Sequence, residues 1–221
     1  MKTTFKLLAI LSTCFLILGC KPDNLDITIY TTDIEVAQSG DIINIPVIAK
    51  FSLPGDDEEG DLSRAADIAK KYLPEDSEVK TTDGQFGKIL VVDTKIPMGS
   101  LSMVQELSKG NTGLVFLGVD DNGQVSIEKN DDLKKRLELE LADINFMLGF
   151  ELPANNTNIR VISDSRNPTS VSAQSVWEND IPHLNFSKAL ERREEAEIRF
   201  KGSEDSVYSQ IPISFRVTSP E

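Results

Sequence analysis

The chain has 221 residues, of which 39% are hydrophobic and 27% are charged, a composition typical of a globular protein. Its 23 basic and 36 acidic residues give a net charge of −13, which argues against a surface that binds the phosphates of nucleic acid or of anionic membranes. The single histidine excludes zinc motifs that need two histidines, such as His-Glu-x-x-His.

The first twenty residues have the pattern of an export signal. Lys2 and Lys6 precede an apolar run over residues 7–18, which is shorter than the roughly 20 residues of a membrane-spanning helix. The five residues that end this segment resemble the lipobox of bacterial lipoproteins, the motif cut by signal peptidase II: Leu16, Ile17, Leu18, Gly19 and Cys20.

The resemblance to bacterial lipoproteins implies how the mature protein is held at a membrane. Residues 1–19 would be a cleaved signal peptide, Cys20 would carry the lipid, and residues 20–26 would form a lipidated tether. Lys21 stands where an aspartate favours the inner membrane, so the resemblance implies the periplasmic face of the outer membrane. In a host with one membrane, the same anchor would hold the domain outside the cell. Without its two signal-peptide lysines the mature chain has a net charge of about −15.

Apolar periodicity predicts the first elements of the domain. Alternating residues predict strands over 25–32 and 42–52, with a turn at 39–41 between them. Apolar side chains at helical spacing then predict a helix over 61–73, which Pro74 ends.

The middle of the chain contains one clear hairpin. A strand over 88–96 and a short helix over 99–109 are expected first. Strands over 114–119 and 124–129 then flank residues 120–123, and Asn122-Gly123 at the tip is a strong signal for a hairpin.

The segment from Asp131 to Leu141 fits two elements. Leucines four residues apart favour a helix, whereas alternation that continues to Leu152 favours a strand. We expect a long strand over about 136–152, with a bulge where the alternation changes phase.

The last third of the chain is predicted to be mainly strand. Strands are expected over 158–163 and 170–177, and a short helical turn over 187–193. Strands over 196–200 and 211–217 would pair as a final hairpin.

These elements predict a β-rich α+β fold. It would be an antiparallel sheet or sandwich with one helix, over about 61–73, packed on it. Residues 27–221 would form the globular domain, and a boundary within it would lie near 97–112 or 129–136.

No pattern in the sequence identifies a catalytic site. His183 is the single histidine, and no Gly-x-Ser-x-Gly motif marks a serine nucleophile, so we interpret His183 as an ordinary loop residue. Trp177 ends an alternating strand and is predicted to lie in the core. No nucleotide-binding motif is present, and no cofactor is expected.

The acidic loop over residues 54–61 offers candidate metal ligands, whereas Asp120 and Asp121 are more simply turn residues. Its carboxylates lack the alternating spacing of a calcium-binding loop, so we interpret the loop as a solvated surface rather than a metal site. The candidate ligands are Asp56, Asp57, Glu58, Glu59 and Asp61.

The permanent anchor and the lack of a catalytic motif favour one function over two others. The favoured hypothesis is a membrane-anchored envelope lipoprotein that acts as a non-catalytic binding or structural module, with another envelope protein as its partner. The alternatives are an envelope hydrolase without a recognisable motif, and a receptor-blocking or exclusion lipoprotein of a mobile element.

Overall fold

The computed structural model describes residues 23–52, 60–84, 87–110, 113–144, 150, 156–201 and 213–218. Within these ranges the chain forms eleven strands and four α-helices. The strands are β1 (Asn24–Tyr30), β2 (Ile43–Ser52), β3 (Glu78–Gly84), β4 (Gly87–Ser100), β5 (Val115–Val119), β6 (Gln124–Lys129), β7 (Asn156–Ile162), β8 (Thr169–Glu178), β9 (Ile181–Leu190), β10 (Glu195–Lys201) and β11 (Ser214–Thr218). The helices are α1 (Thr31–Gln38), α2 (Asp61–Ala69), α3 (Leu101–Leu107) and α4 (Asp131–Ala142), and a 3₁₀ turn at Lys70–Tyr72 follows α2.

Nine of these strands close into a barrel. Their order is β10, β7, β1, β2, β4, β5, β6, β11 and β8, and β8 returns to β10 through the pair Trp177 and Arg199. Strands β3 and β9 pair with β4 and β8 outside this ring. Closure gives hydrogen-bond partners to backbone groups that an open edge would leave unpaired. The β-rich α+β class is therefore confirmed, and the closed barrel replaces the predicted open sheet or sandwich.

The sheet is mixed rather than antiparallel throughout. Strand β1 pairs in parallel with β7, and β4 pairs in parallel with β5, whereas the other pairings are antiparallel. The described residues also form four α-helices rather than the one helix, over about 61–73, that the predicted fold packed on the sheet, and the short helix predicted over 99–109 is α3. No described helix has the length and apolar character needed to cross a membrane.

Alternation along the strands builds the main core. Every second residue of β1 is buried, and the same pattern in β2, β7 and β10 lines the inside of the ring with branched aliphatic side chains. The largest of these are almost fully buried: Ile27, Ile29, Ile45, Ile159 and Ile198.

The two ends of the barrel are covered by different helices. Strand β1 runs from Asn24 to Tyr30, and α1 follows it and buries Ile34 and Ala37 against the main core. At the Leu25 end, α2 and α4 form a second hydrophobic cluster, built from Ala65, Leu114, Leu133, Leu137 and Leu141. This second cluster defines the end of the barrel at which the candidate site lies.

Several predicted elements are confirmed. The strand over 42–52 is β2, and the helix over 61–73 is α2 with its 3₁₀ turn. The hairpin is formed by β5 and β6. Its Gly123 has a φ of 73°, and a Cβ at this position would collide with the carbonyl oxygen of Val217. Glycine is therefore required at this turn, where β11 passes close to the hairpin.

The predicted strand over 136–152 was wrong for the residues that the structure describes. Residues 131–142 form α4, because Asn130 caps its start and accepts a hydrogen bond from the Leu133 backbone N at 3.0 Å. Residues 145–149 and 151–155 lie outside the described residues. The leucines spaced by four share the buried face of the helix: Leu133, Leu137 and Leu141.

Three other predictions near strand ends were wrong. Strand β1 stops at Tyr30 and α1 follows, although the predicted strand ran to residue 32. Residues 187–190 belong to β9 and form no helical turn. The expected final hairpin does not form, since β10 pairs with β7 while β11 pairs with β6 and β8.

Candidate ligand-binding cavity

A cavity of about 760 Å³ lies between the barrel and the helices that cover one of its ends. We call it the helix-capped cavity. The barrel contributes aliphatic side chains from β1, β2 and β4, and the facing wall comes from α2 and α4. Representative lining residues are Leu25, Val47, Leu90, Ala65, Leu133 and Leu137. The cavity thus separates the main core from the second hydrophobic cluster.

One wall of the cavity is a stretch of β4 that has no strand partner on one of its edges. On one edge, β4 pairs with β3 through residues 87–93 and with β5 through residues 98–100. Among the described residues, 94–97 have no strand partner on that edge, and all four line the cavity. The Ser77 and Thr94 hydroxyl oxygens lie 2.6 Å apart beside this gap. The wall here consists of one strand edge rather than a paired sheet.

Small side chains on α2 help to leave the cavity open. Ala65 and Ala69 face the cavity four residues apart, on the same side of the helix. Larger side chains at these positions would reach towards the leucines of α4, because α2 and α4 are in contact. The two alanines therefore set part of the cavity volume.

A cluster of polar side chains lies where α4 meets the 3₁₀ turn. The Lys71 Nζ lies 2.8 Å from Glu140 Oε2, and the Tyr72 hydroxyl donates to Glu140 Oε1 at 2.5 Å. Hydrogen bonds from Lys71 and Tyr72 lower the pKa of the Glu140 carboxyl. Burial, and then the hydrogen bond to Glu140, raises the pKa of Tyr72. All three residues line the cavity, together with Arg136.

Among the lining residues that the structure describes, the charged ones are mainly basic. Lys71, Lys95 and Arg136 are basic and Glu140 is acidic, whereas acidic residues outnumber basic ones in the whole chain by 36 to 23. Lys95 Nζ is paired with Asp76 Oδ2 at 2.6 Å. The described lining therefore has a larger share of basic residues than the chain as a whole.

The lining has the chemistry of a binding site. Glu140 is the one carboxylate among the described lining residues, and it accepts hydrogen bonds from Lys71 and Tyr72. In the part of the chain that the structure describes, no group of three His, Cys, Asp or Glu side chains could hold a metal ion. An apolar wall with a few polar groups at one side suits an amphipathic ligand.

A second polar cluster, at the start of α1, has a structural role. Asp164 Oδ1 accepts hydrogen bonds from Thr31 Oγ1 and Thr32 N at 3.0 Å, and its Oδ2 accepts one from Thr32 Oγ1 at 2.6 Å. Asp33 Oδ2 accepts one from Tyr30 N at 2.8 Å. The two carboxylates therefore satisfy donors at the helix N-terminus, which has otherwise unpaired N–H groups.

None of the sequence-predicted site residues that the structure describes lines this cavity. Cys20 and the acidic residues at 56–59 lie outside the described residues. Asp61 begins α2, and its Oδ1 lies 3.5 Å from Arg64 Nη1. His183 lies on β9, with its ring 5.8 Å from that of Phe186 in an edge-to-face arrangement. Trp177 is only half-buried, so its predicted core position was wrong.

Sequence reasoning missed the cavity, although part of the signal was present. The leucines spaced by four on α4 and the alanines of α2 were visible as apolar helix faces. Nothing local linked Lys71 to Glu140, which are 69 residues apart in the chain.

Comparison with known proteins gives no family for this chain. No protein-family model matches the sequence, and no curated protein is similar to it.

Proposed function

We propose that this protein is a lipid-anchored envelope lipoprotein that acts as a non-catalytic binding module, with the helix-capped cavity as its ligand-binding site. The lipid on Cys20 would hold the domain at the periplasmic face of the outer membrane in a host with two membranes. The cavity would take an apolar or amphipathic small molecule.

The cavity itself is the observation that carries this proposal. Its volume of about 760 Å³ lies within the range of roughly 300–1,000 Å³ that small-molecule sites occupy. Its walls are aliphatic side chains of the barrel and of two helices, with few polar groups. An apolar space of this size favours an apolar ligand, because burial removes the ligand surface from water.

The position of the anchor supports a ligand that comes from the membrane. Leu25 lines the cavity and lies five residues after Cys20. An extended chain spans at most about 3.6 Å per residue, so the two Cα atoms are within about 18 Å of each other. A lipid anchor on Cys20 would therefore keep this end of the barrel close to the bilayer surface.

Photoaffinity labelling tests the binding site. The lipidated protein would be reconstituted into phosphatidylethanolamine and phosphatidylglycerol vesicles with an alkyl probe that carries a diazirine. We expect labelled peptides from α2 and α4. Ala69→Phe should reduce this labelling because the larger side chain fills the cavity, whereas Ala69→Ser should not. Equal labelling of the two variants, or labelling confined to other peptides, would refute the proposal.

A separate variant tests the anchor. Cys20→Ala should leave the protein uncleaved by signal peptidase II and unlipidated, with no lipid-dependent association with membranes. Mass spectrometry of the wild-type N-terminus should find a diacylglyceryl cysteine. A wild-type protein without this lipid would overturn the anchor while leaving the cavity proposal open to its own test.

A further inference from the structure

The polar groups of the helix-capped cavity point to a particular class of ligand. Lys71, Tyr72 and Glu140 are joined by contacts of 2.8 and 2.5 Å. Arg136 lies one helical turn before Glu140 on α4 and lines the cavity beside these three residues, so it belongs to the same cluster. Among the described residues, the cluster therefore contains two cations, Lys71 and Arg136, and one carboxylate, Glu140.

The position of the cluster separates a polar region from an apolar one. Arg136 and Glu140 lie one helical turn apart on α4, while Leu133, Leu137 and Leu141 of the same helix are buried. Half of the Lys71 side chain or more is open to solvent, and so is part of Glu140. A ligand could thus place a charged head at this exposed cluster and an apolar chain along the buried leucines.

We propose that the helix-capped cavity binds a single-chain amphiphile with an anionic head, which contacts Lys71 and Arg136. This inference rests on the proposed binding function and names its ligand class. A carboxylate or a phosphate head would fit the same pair of cations, because both accept charge-assisted hydrogen bonds from lysine and arginine. The Glu140 carboxylate would disfavour a second anion at its own position and so keep the head between the two cations.

The alkyl chain makes its own measurable contribution. Burial of one methylene is worth about 0.8 kcal/mol, so each added methylene should tighten binding about fourfold until the cavity is filled. An affinity that did not change with chain length would mean that the chain remains in water or in the bilayer.

Competition against the photoreactive alkyl probe tests the head group. The competitors share a dodecyl chain and differ in charge: laurate, dodecyl phosphate, dodecyl maltoside and dodecyltrimethylammonium, each below its critical micelle concentration. We expect at least one of the two anions to displace the probe at about tenfold lower concentration than the neutral and cationic compounds. Whichever anion is preferred identifies the head as carboxylate or phosphate.

Paired charge variants show whether the preference comes from the cavity or from partitioning into the vesicles. Lys71→Gln and Arg136→Gln should each lose most of the preference for the anion, with displacement by dodecyl maltoside unchanged. Lys70→Gln and Lys135→Gln are matched controls, since these neighbours carry the same charge but do not line the cavity, and both should keep the preference.

The possible outcomes separate the two proposals. If no competitor displaces the probe and Ala69→Phe does not change labelling, both the binding function and its ligand class are wrong. If the neutral or cationic compound competes as well as the anions, the cavity binds ligands but the anionic head is wrong. The same conclusion follows if the control variants lose the anion preference as fully as Lys71→Gln and Arg136→Gln.

Discussion

Arg199 and Trp177 form the backbone pair that joins β10 to β8 and closes the barrel. The Arg199 side chain strengthens this closure, because Nε donates to Asn158 Oδ1 at 2.9 Å and Nη1 donates to Asp180 Oδ1 at 2.8 Å. Lys201 Nζ lies 3.8 Å from the centre of the Trp177 ring, within cation–π range. Side chains from both strands thus hold the point at which the ring closes.

Arg199→Ala should weaken this closure. Loss of two charge-assisted hydrogen bonds at a partly exposed site should lower the free energy of unfolding by roughly 1–2 kcal/mol. Trp177 is the single tryptophan and lies at the same site, so its fluorescence during urea unfolding reports the change directly. Arg160→Ala is the control, because exposed Arg160 donates one longer bond, 3.3 Å to Thr28 Oγ1. Equal losses for the two variants would contradict a special role for Arg199.

The aspartates at the start of α1 predict a dependence of stability on pH. Burial alone would raise the pKa of Asp164, but hydrogen bonds from Thr32 and Thr31 outweigh it and hold the pKa below the ordinary value of 3.8. A carboxyl with a lowered pKa in the folded state stabilises the fold above about pH 4, and this contribution is lost as the pH falls further. Asp33 acts in the opposite sense, because burial raises its pKa, and the negative charge of Asp164 adds to this.

Asp164→Asn tests this assignment. The variant should be less stable than the wild type at pH 7. The difference should shrink towards pH 3, because below about pH 4 the carboxyl of Asp164 binds a proton more readily in the unfolded state than in the folded state. Urea midpoints at pH 7, 5 and 3 measure it. Thr32→Val removes one hydrogen-bond donor to Asp164. The urea midpoint of this variant should therefore change less between pH 7 and pH 3 than that of the wild type. A difference between wild type and Asp164→Asn that stayed constant with pH would show that the charge of Asp164 does not matter.

Local signals in the sequence predicted some elements correctly but could not predict the closure of the barrel. Asn122-Gly123 predicted the β5–β6 hairpin, and apolar spacing with Pro74 predicted α2, because both are decided by neighbouring residues. The pairing of β1 with β7 joins residues about 130 positions apart, and it leaves no local pattern. The barrel and the position of the cavity at its end follow from such distant pairings, so periodicity could not predict them.

The α4 segment shows where two local patterns compete. Leu137, Leu139 and Leu141 fit a strand by alternation, but Leu139 is 62% exposed in the structure. The helix prevails because Asn130 caps its start and three leucines at a spacing of four can all be buried. Tertiary burial of one helix face thus decided a segment that the sequence left ambiguous.

Asn130 should be important both for α4 and for the cavity that α4 covers. Its Oδ1 accepts from Leu133 N at 3.0 Å and its Nδ2 donates to the Gly110 carbonyl oxygen at 2.9 Å, with the residue 1% exposed. Asn130→Ala should destabilise the protein by roughly 1–2 kcal/mol and speed hydrogen exchange in the first turn of α4. Asn130→Asp keeps the acceptor for Leu133 N, so it should preserve slow exchange in the first turn of α4, although its buried carboxylate would face the Gly110 carbonyl oxygen and destabilise the protein. Unchanged exchange in both variants would show that the cap does not hold the helix.

The titration of Tyr72 provides a test of the polar cluster that needs no ligand. Its pKa is raised by burial and then by the hydrogen bond to Glu140, and it is lowered by the positive charge of Arg136. Glu140→Gln should therefore lower the pKa of Tyr72, and Arg136→Gln should raise it further. Ultraviolet absorbance of the tyrosinate measures both shifts, and subtraction of a Tyr72→Phe titration removes the contribution of the other two tyrosines. Shifts of the same sign in the two variants would mean that Arg136 and Glu140 do not both act on this hydroxyl. Arg136 would then lie outside the polar cluster, and the proposed site for the anionic head would lose one of its two cations.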